Sequence, residues 1–125
     1  MNYNNYKNIQ MDICNKFHAP YLDCGWDLKL GIARNVQTGL LPVNGLRLQP
    51  ENGTSGWYIW AGEEMSQDDD FFVPLHTHHI LHWCKMVVPY LGLAPGWTFL
   101  VTPDYENVWD NEALRKSANT NTDEV

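Results

Sequence analysis

An aromatic stretch that runs straight into a cluster of carboxylates constrains the fold of this chain more than any other feature. Residues 57–60 read Trp-Tyr-Ile-Trp, and large side chains of this kind favour a β-strand packed against other elements. Acidic side chains, by contrast, stay in water or find cations. The carboxylates that follow are Glu63, Glu64, Asp68, Asp69 and Asp70. We therefore predict a buried central strand at 57–61 and an exposed acidic loop that extends to Asp70.

Three other segments have the alternating pattern of a strand that buries one face. The first covers residues 28–36 and ends before a Thr-Gly turn. The second covers residues 45–48, and the turn-forming residues 51–56 separate it from the aromatic strand. The third covers residues 97–102, where Trp97, Phe99 and Val101 share one face. These segments predict a sheet built around the aromatic strand.

Apolar residues at helical spacing predict two helices that pack on this sheet. The first covers residues 4–17, with its apolar stripe at Tyr6, Ile9, Ile13 and Phe17. The main packing helix covers residues 76–91, with its buried stripe at Ile80, Cys84, Val87 and Leu91. Pro89 removes a backbone donor near its end, so we expect the last turn to be kinked. We also expect a short helix at 105–114 that tucks Trp109 inward.

Strands that follow one another without regular strand-helix alternation favour the α+β class over a parallel, doubly wound fold. We predict a mostly antiparallel sheet of four or five strands, packed by the N-terminal helix and by the helix at 76–91. A chain of 125 residues is the usual size of one domain, which we place at 1–116. Residues 117–125 are polar, and we expect a disordered tail.

The charge and cysteine content limit the classes of partner and the compartment. The net charge is −7, and no Lys or Arg occurs between Arg47 and Lys85, so a nucleic-acid partner is not expected. No apolar run reaches the length of a membrane helix, and no signal-peptide pattern is present. The three cysteines lack C-x-x-C spacing, which is typical of reduced thiols. We expect a cytoplasmic protein, and the oligomeric state stays open.

The acidic residues allow three interpretations: a solvated loop, a docking surface for a basic protein, or a site for a hard cation. Their spacing lacks the order of an EF-hand loop, which argues against calcium. Aromatic residues beside a charged rim are typical of interface anchors, which supports the docking surface. The candidate partner-binding residues are Trp60, Glu63, Glu64, Asp68, Asp69, Asp70 and Phe71.

Four histidines, His76, His78, His79 and His82, form the strongest case for metal chemistry. On a helix His78 and His82 share one face, and Asp70 can complete a zinc site if the acidic loop folds over the helix start. This arrangement defines the alternative function, a metal-binding enzyme or sensor. The competing interpretation places the imidazoles on the solvated side of the helix. If they lie near the acidic loop, their protonation couples binding or stability to pH.

Motifs for covalent catalysis and for phosphate binding are missing from the sequence. There is no G-x-S-x-G elbow, no H-E-x-x-H pair and no glycine-rich phosphate loop. Cys84 is two residues from His82, a spacing that points the two side chains apart on a helix. We therefore expect a protein that is not an enzyme and needs no cofactor.

Five phrases of the sequence, read together, resemble the immunity protein 33 group of bacterial immunity proteins. They are IARNVQTG at 32–39, GWYIWAGEE at 56–64, DDDFFVPLH at 68–76, PYLGLAPGW at 89–97 and DYENVWD at 104–110. The resemblance covers roughly residues 30–112 and leaves the N-terminal helix and the tail outside. It implies a small cytoplasmic protein that binds and neutralises a cognate toxin. We predict that it occludes the active or substrate-binding surface of the toxin, which we expect to be basic. It implies no catalytic residues, and the histidine-rich run at 76–82 departs from the group pattern.

Overall fold

A computed structural model describes residues 3–114 as a six-stranded sheet with helices packed on one side. The strands are β1 Lys29–Ala33, β2 Val43–Arg47, β3 Thr54–Ala61, β4 Phe72–His76, β5 Trp97–Thr102 and β6 Tyr105–Asp110. The α-helices are α1 Asn4–Lys16 and α2 Ile80–Trp83. Three 3-10 helices cover Arg34–Thr38, Thr77–His79 and Lys85–Tyr90. The α+β class is confirmed.

The sheet is mixed, with the strand order β4-β1-β3-β2-β5-β6. The β1–β3 pairing is parallel and the other pairings are antiparallel. The predicted count of four or five strands is too low, because residues 72–76 were not predicted as a strand and residues 105–110 were predicted as part of a helix. Both are edge strands, each held by one neighbour. Pro74 fits in β4 because an edge strand leaves one row of backbone groups outside the hydrogen-bonded ladder.

Successive side chains of each strand point to opposite sides of the sheet. We call the side that carries the core the inner face and the other side the outer face. Trp57, Ile59, Ile32 and Phe99 point to the inner face and are at most 1% exposed. They form one core with Val87 and other apolar residues of the helical segments. Burial at this level contributes about 1.5–3 kcal/mol for each large side chain. The aromatic strand is therefore central as predicted, but only every second residue of it belongs to the core.

The N-terminal helix is confirmed, but its buried residues are Gln10 and Cys14, and Ile9 of the predicted stripe is exposed. Helix α1 packs on the segment Lys85–Tyr90, where the Gln10 side-chain amide donates to the carbonyl oxygen of Val88 at 3.0 Å.

The predicted continuous helix at 76–91 is wrong, because the segment forms three short helical pieces. The segment itself is broken at Cys84, whose φ of −162° interrupts the helical backbone. Ile80, Val87 and Leu91 are nevertheless fully buried. The fourth residue of the predicted stripe, Cys84, is only half-buried. The spacing therefore identified three of the four predicted core residues, but not the backbone conformation of the segment.

Residues 105–110 form a strand rather than the predicted helix. Trp109 therefore lies on the outer face of the sheet and not in the core. Trp109 pairs opposite Thr98 on the outer face and is 36% exposed, so the expectation that it tucks inward is wrong. Val108 is the apolar residue that β6 adds to the core. Residues 105–110 adopt the strand conformation because they pair with β5, since hydrogen bonds to a neighbouring strand override a weak local preference for a helix.

A buried arginine holds the inner face to the chain segments around it. Arg47 is 1% exposed, and its guanidinium donates to backbone carbonyl oxygens only. The acceptors are Leu22, Asp23, Ser55, Leu91 and Leu93. The group satisfies several carbonyls that the turns around it leave unpaired.

Within residues 3–114, none of the helices combines the length and the hydropathy needed to cross a membrane. The predicted domain boundary at 116 and the predicted tail at 117–125 lie outside the residues that the structure describes.

Candidate functional site

The acidic loop connects β3 to β4, and all five of its carboxylates are on exposed residues. Local hydrogen bonds shape the second half of the loop. The Asp68 amide donates to the Ser66 hydroxyl at 3.1 Å, and the Phe71 amide donates to the Asp68 carbonyl at 3.1 Å. These bonds turn the chain back into β4 and leave the side chains of residues 68–70 in solvent.

The carboxylates of the acidic loop make no ion pair with any residue in the 3–114 range. The salt bridge found there joins Lys16 to Glu106, away from the loop. Arg34 lines an open hollow of about 320 Å³ together with Asp68, Asp70 and Phe71, without an ion pair to either aspartate. The loop therefore presents negative charge that the described part of the chain does not neutralise by direct contact.

Two asparagines fix the point where the acidic loop begins. The Asn35 side chain accepts from the Ala61 amide at 2.9 Å and donates to the Ala61 carbonyl at 2.8 Å, as a neighbouring strand would. The Asn44 side chain donates to the Gly62 carbonyl at 2.7 Å. Gly62 itself has a φ of +90°, a conformation that glycine adopts without strain. The charged residues therefore project from a rigid base.

Sequence reasoning missed this role of Asn35 and Asn44. The available signal was an amide directly after the apolar Val43, since Asn44 is 6% exposed in the strand Val43–Arg47. A buried amide needs partners, and a strand end next to a charged loop provides unpaired backbone groups.

The structure brings Trp60 and Phe71 together beside the acidic loop, through the ring of Phe72. The centroid of Phe72 lies 4.9 Å from that of Phe71 and 6.3 Å from that of Trp60, both edge-on. Tyr58 joins the same group at 5.2 Å from Phe72. Trp60, Phe71 and Phe72 are half-buried, so each presents part of its ring to solvent. Phe72, an aromatic neighbour of the acidic residues that the candidate list leaves out, therefore belongs to the candidate site, and so does Tyr58, which the sequence prediction missed.

The histidine cluster lies at the other end of β4 from the acidic loop. Strand β4 begins at Phe72, next to the loop, and ends at His76, a length of roughly 13 Å. Among residues 3–114, no group of three or more His, Cys, Asp or Glu side chains is arranged to hold a metal ion. The structure therefore does not bring His78, His82 and Asp70 together into a metal site. It also places the histidines away from the acidic loop, so the condition for coupling between their protonation and that loop is not met.

The imidazoles interact with one another rather than with carboxylates. The ring centroids of His78 and His79 are 4.2 Å apart, and that of His76 is 5.8 Å from His78. Partial desolvation and the neighbouring imidazoles lower the pKa of His79 below its ordinary value. His78 is also held by the backbone of Trp26, whose carbonyl lies 3.3 Å from its Nδ1.

The cysteines are in environments that suppress their reactivity. Burial raises the pKa of Cys14 and of Cys84, and it raises the pKa of Cys24 to about 12, with a further contribution from the charge of Asp23. The thiolate is the nucleophilic form of cysteine, so these groups are poorly suited to covalent catalysis at neutral pH.

Comparison with known proteins identifies one family. Residues 9–111 match the family model of the Imm33-like domain. This range begins at residue 9 and so includes most of helix α1, which the resemblance seen in the sequence left outside. No curated protein and no solved structure matches the chain.

Proposed function

The chain belongs to the family of Imm33-like domains, and we infer from this that it is an immunity protein that binds and neutralises a cognate bacterial toxin. Neutralisation is by occlusion: the acidic loop and the aromatic residues beside it cover the active or substrate-binding surface of the toxin. The chain performs no chemistry of its own in this proposal, and it acts in the cytoplasm.

The observation that carries the proposal is that exposed carboxylates without ion pairs lie beside half-buried aromatic rings. Exposed carboxylates without ion pairs attract a basic partner over distance and raise the rate of association. Half-buried aromatic rings contribute contacts that slow dissociation, because aromatic residues are frequent at the centre of interfaces. Trp60, Phe71 and Phe72 are close enough to the loop for one partner to contact both features.

The partner that fits this surface is a protein with a basic patch around its active or substrate-binding site. Such a patch is common where a toxin binds an anionic substrate, and covering it removes access to that substrate. A nucleic-acid or membrane partner is disfavoured, because phosphate groups and anionic lipids are repelled by a chain with a net charge of −7.

Two triple variants with equal loss of charge test the proposal. The loop variant combines Asp68→Asn, Asp69→Asn and Asp70→Asn. The control variant combines Asp12→Asn, Asp27→Asn and Glu51→Gln, which are exposed residues outside the loop. The toxin is first sought among the neighbouring genes, as a large protein with a toxic C-terminal domain. Each variant and the wild-type chain are then measured against that domain, for association rate at several salt concentrations and for rescue of growth.

We expect the loop variant to associate roughly tenfold more slowly at low salt, with a flatter salt dependence, and the control variant to change much less. Equal effects of the two variants would mean that only net charge matters and would rule out the acidic loop as the interface. A wild-type chain that neither binds nor rescues growth would reject the immunity function itself.

A further inference from the structure

The outer face of the sheet is open over β4, β1 and β3, and it is rich in aromatic residues. Its strand residues that point away from the core include Tyr58, Trp60, Phe72, Pro74, Leu46 and Leu100. Tyr58 is 36% exposed and the other aromatic residues of this group are half-buried. Because six strands spaced about 4.8 Å apart span roughly 24 Å, the face is wide enough for a protein partner.

Negative charge and basic side chains border the outer face at opposite ends. None of the outward-pointing residues of the described strands is Asp or Glu, and the acidic loop borders the face at the end of β3. Lys29 and His76 pair with each other at the opposite end. The face is therefore an apolar surface with a negative border on one side, and it is continuous with the acidic loop through Phe72 and Phe71.

Trp60 contributes a hydrogen-bond donor that nothing in the 3–114 range satisfies. Its indole Nε1 is shielded from solvent and has no acceptor among these residues. An unpaired buried donor is unfavourable, and because the chain itself shields this atom, an acceptor on a partner reaches it only if the ring moves. This donor lies on the strand at the centre of the sheet, next to the row that contains Tyr58.

Resting on the function proposed above, we propose that the toxin docks across this aromatic half of the outer face as well as on the acidic loop. The complementary surface on the toxin is an apolar patch bordered on one side by Lys or Arg residues. The apolar patch covers Tyr58, Trp60 and Phe72, and the basic border meets the carboxylates at 63–70. The interface thus joins an apolar centre to a charged rim, the common arrangement of specific interfaces.

Two other occupants fit the face less well. A second copy of this chain has the same net charge of −7, so its approach is opposed by repulsion at low salt. Residues 115–125 of the same chain include one aliphatic side chain larger than alanine, Val125, which is too little to cover a row of aromatic rings. A basic toxin matches both the apolar and the charged part of the surface.

Two aromatic residues of the outer face provide a matched pair of variants. Tyr58 and Trp109 are both 36% exposed and lie in one row across the sheet, through Leu46 and Thr98. Three strand spacings separate them, a distance of roughly 14 Å. Trp109 is on the edge strand β6 and outside the proposed contact. Tyr58→Ser and Trp109→Ser therefore remove similar exposed surface at different places.

The affinity of each variant for the toxin domain encoded next to the gene is measured by calorimetry, with circular dichroism to confirm folding. We expect Tyr58→Ser to weaken binding at least tenfold, since aromatic residues at an interface centre dominate affinity, and Trp109→Ser to change it about twofold or less. Hydroxyl-radical footprinting of the wild-type complex gives the same information without a variant. Protection of Tyr58, Trp60 and Phe72, but not of Trp109, is expected.

The outcomes separate this inference from the proposed function. Wild-type binding that is unchanged by Tyr58→Ser, with no protection of Tyr58, overturns the outer-face contact while the immunity function stands. Absence of binding by the wild-type chain overturns both proposals. A dimer of the free chain in sedimentation that Tyr58→Ser abolishes assigns the face to a second copy, and this overturns the toxin contact.

Discussion

Arg47 and Trp57 face each other across strands β2 and β3, and both side chains donate to the same carbonyl oxygen, that of Leu91. The indole nitrogen lies 2.9 Å from this oxygen and the guanidinium nitrogen 3.3 Å. The guanidinium carbon lies 5.6 Å from the centroid of the Trp57 ring, which adds a cation-π contact. These two hydrogen bonds connect Leu91, directly after Tyr90, to the inner face of the sheet.

Replacing Arg47 with Met should destabilise the protein strongly. The change leaves buried carbonyl oxygens without donors, and we expect a loss of at least about 3 kcal/mol in the free energy of unfolding. Burial lowers the pKa of Arg47 to about 10, so the group is still charged at neutral pH. Urea denaturation checks the prediction. Arg34→Met at an exposed position is the control and should change stability by about 0.5 kcal/mol or less.

Stability should fall as the pH rises above about 9, because of the buried Cys24. Burial and then the charge of Asp23 raise the pKa of Cys24 from 9.0 to about 12 in the folded state. Between these values the unfolded chain has lost a proton that the folded chain retains, so each pH unit costs about 1.4 kcal/mol. Urea denaturation at pH 8 and 10.5 should therefore differ by about 2 kcal/mol through this group.

Cys24→Ala tests this assignment. Under reducing conditions, the free energy of unfolding of the variant should fall less between pH 8 and 10.5 than that of the wild-type chain. Part of the loss should remain, since burial and Asp23 also raise the pKa of Tyr21 to about 12. Identical pH dependence in the variant and the wild-type chain would show that Cys24 is not responsible.

The pKa of Glu106 should rise when its donors are removed. Hydrogen bonds from Lys16 and then from the Tyr90 hydroxyl, at 2.6 Å, hold this pKa below its ordinary value. A lowered pKa adds stability above pH 4.5 that is lost as the pH falls through the folded value. Carbon NMR titration should show the larger increase in Lys16→Ala and a smaller one in Tyr90→Phe.

Lys7→Ala provides the control for this titration, because Lys7 is an exposed residue of the same helix. It should leave the pKa of Glu106 unchanged. The effect of Lys16→Ala on the free energy of unfolding should stay below about 1 kcal/mol, as for most surface ion pairs. A comparable pKa change in Lys7→Ala would contradict the specific role of the Lys16 contact.

The pKa of His79 should respond to the other imidazoles and not to the acidic loop. His78→Asn removes the neighbour with the largest electrostatic effect and should move the pKa of His79 upward, toward 6.5. The variant with Asp68, Asp69 and Asp70 changed to Asn should leave it unchanged, because β4 separates the two regions. Nitrogen-detected NMR titration checks both. A shift from the loop variant as large as that from His78→Asn would show that the two regions are in contact.

Periodicity located the regular elements of the chain better than the residues that they bury. In the first helix the predicted stripe includes Ile9, which is exposed, whereas Gln10 and Cys14 are buried. The helix Asn4–Lys16 and the strands Thr54–Ala61 and Trp97–Thr102 correspond to segments predicted from the sequence. The same reasoning failed at 76–91, where the spacing of Ile80, Val87 and Leu91 suits a helix and also suits short turns packed on a sheet. Which backbone carries such residues depends on neighbours that are distant in the sequence.

The candidate site followed a similar pattern. The acidic residues and the aromatic pair Trp60 and Phe71 were identified from local composition, and the structure brings them together. Tyr58 was missed, because its position depends on which face of the strand points outward. The supporting role of Asn35 was missed as well, since it reaches Ala61 across 26 positions of the chain.

The sequence by itself determined that a buried aromatic strand would end in an exposed cluster of carboxylates, because burial and hydration impose opposite environments on those side chains. Only the tertiary structure decided what lies beside the cluster. The antiparallel pairing of β4 with β1 places Phe72 against Trp60 and removes His76 to the far end of the sheet. Strand pairing sets these distances through long-range backbone hydrogen bonds, and local sequence patterns do not specify them.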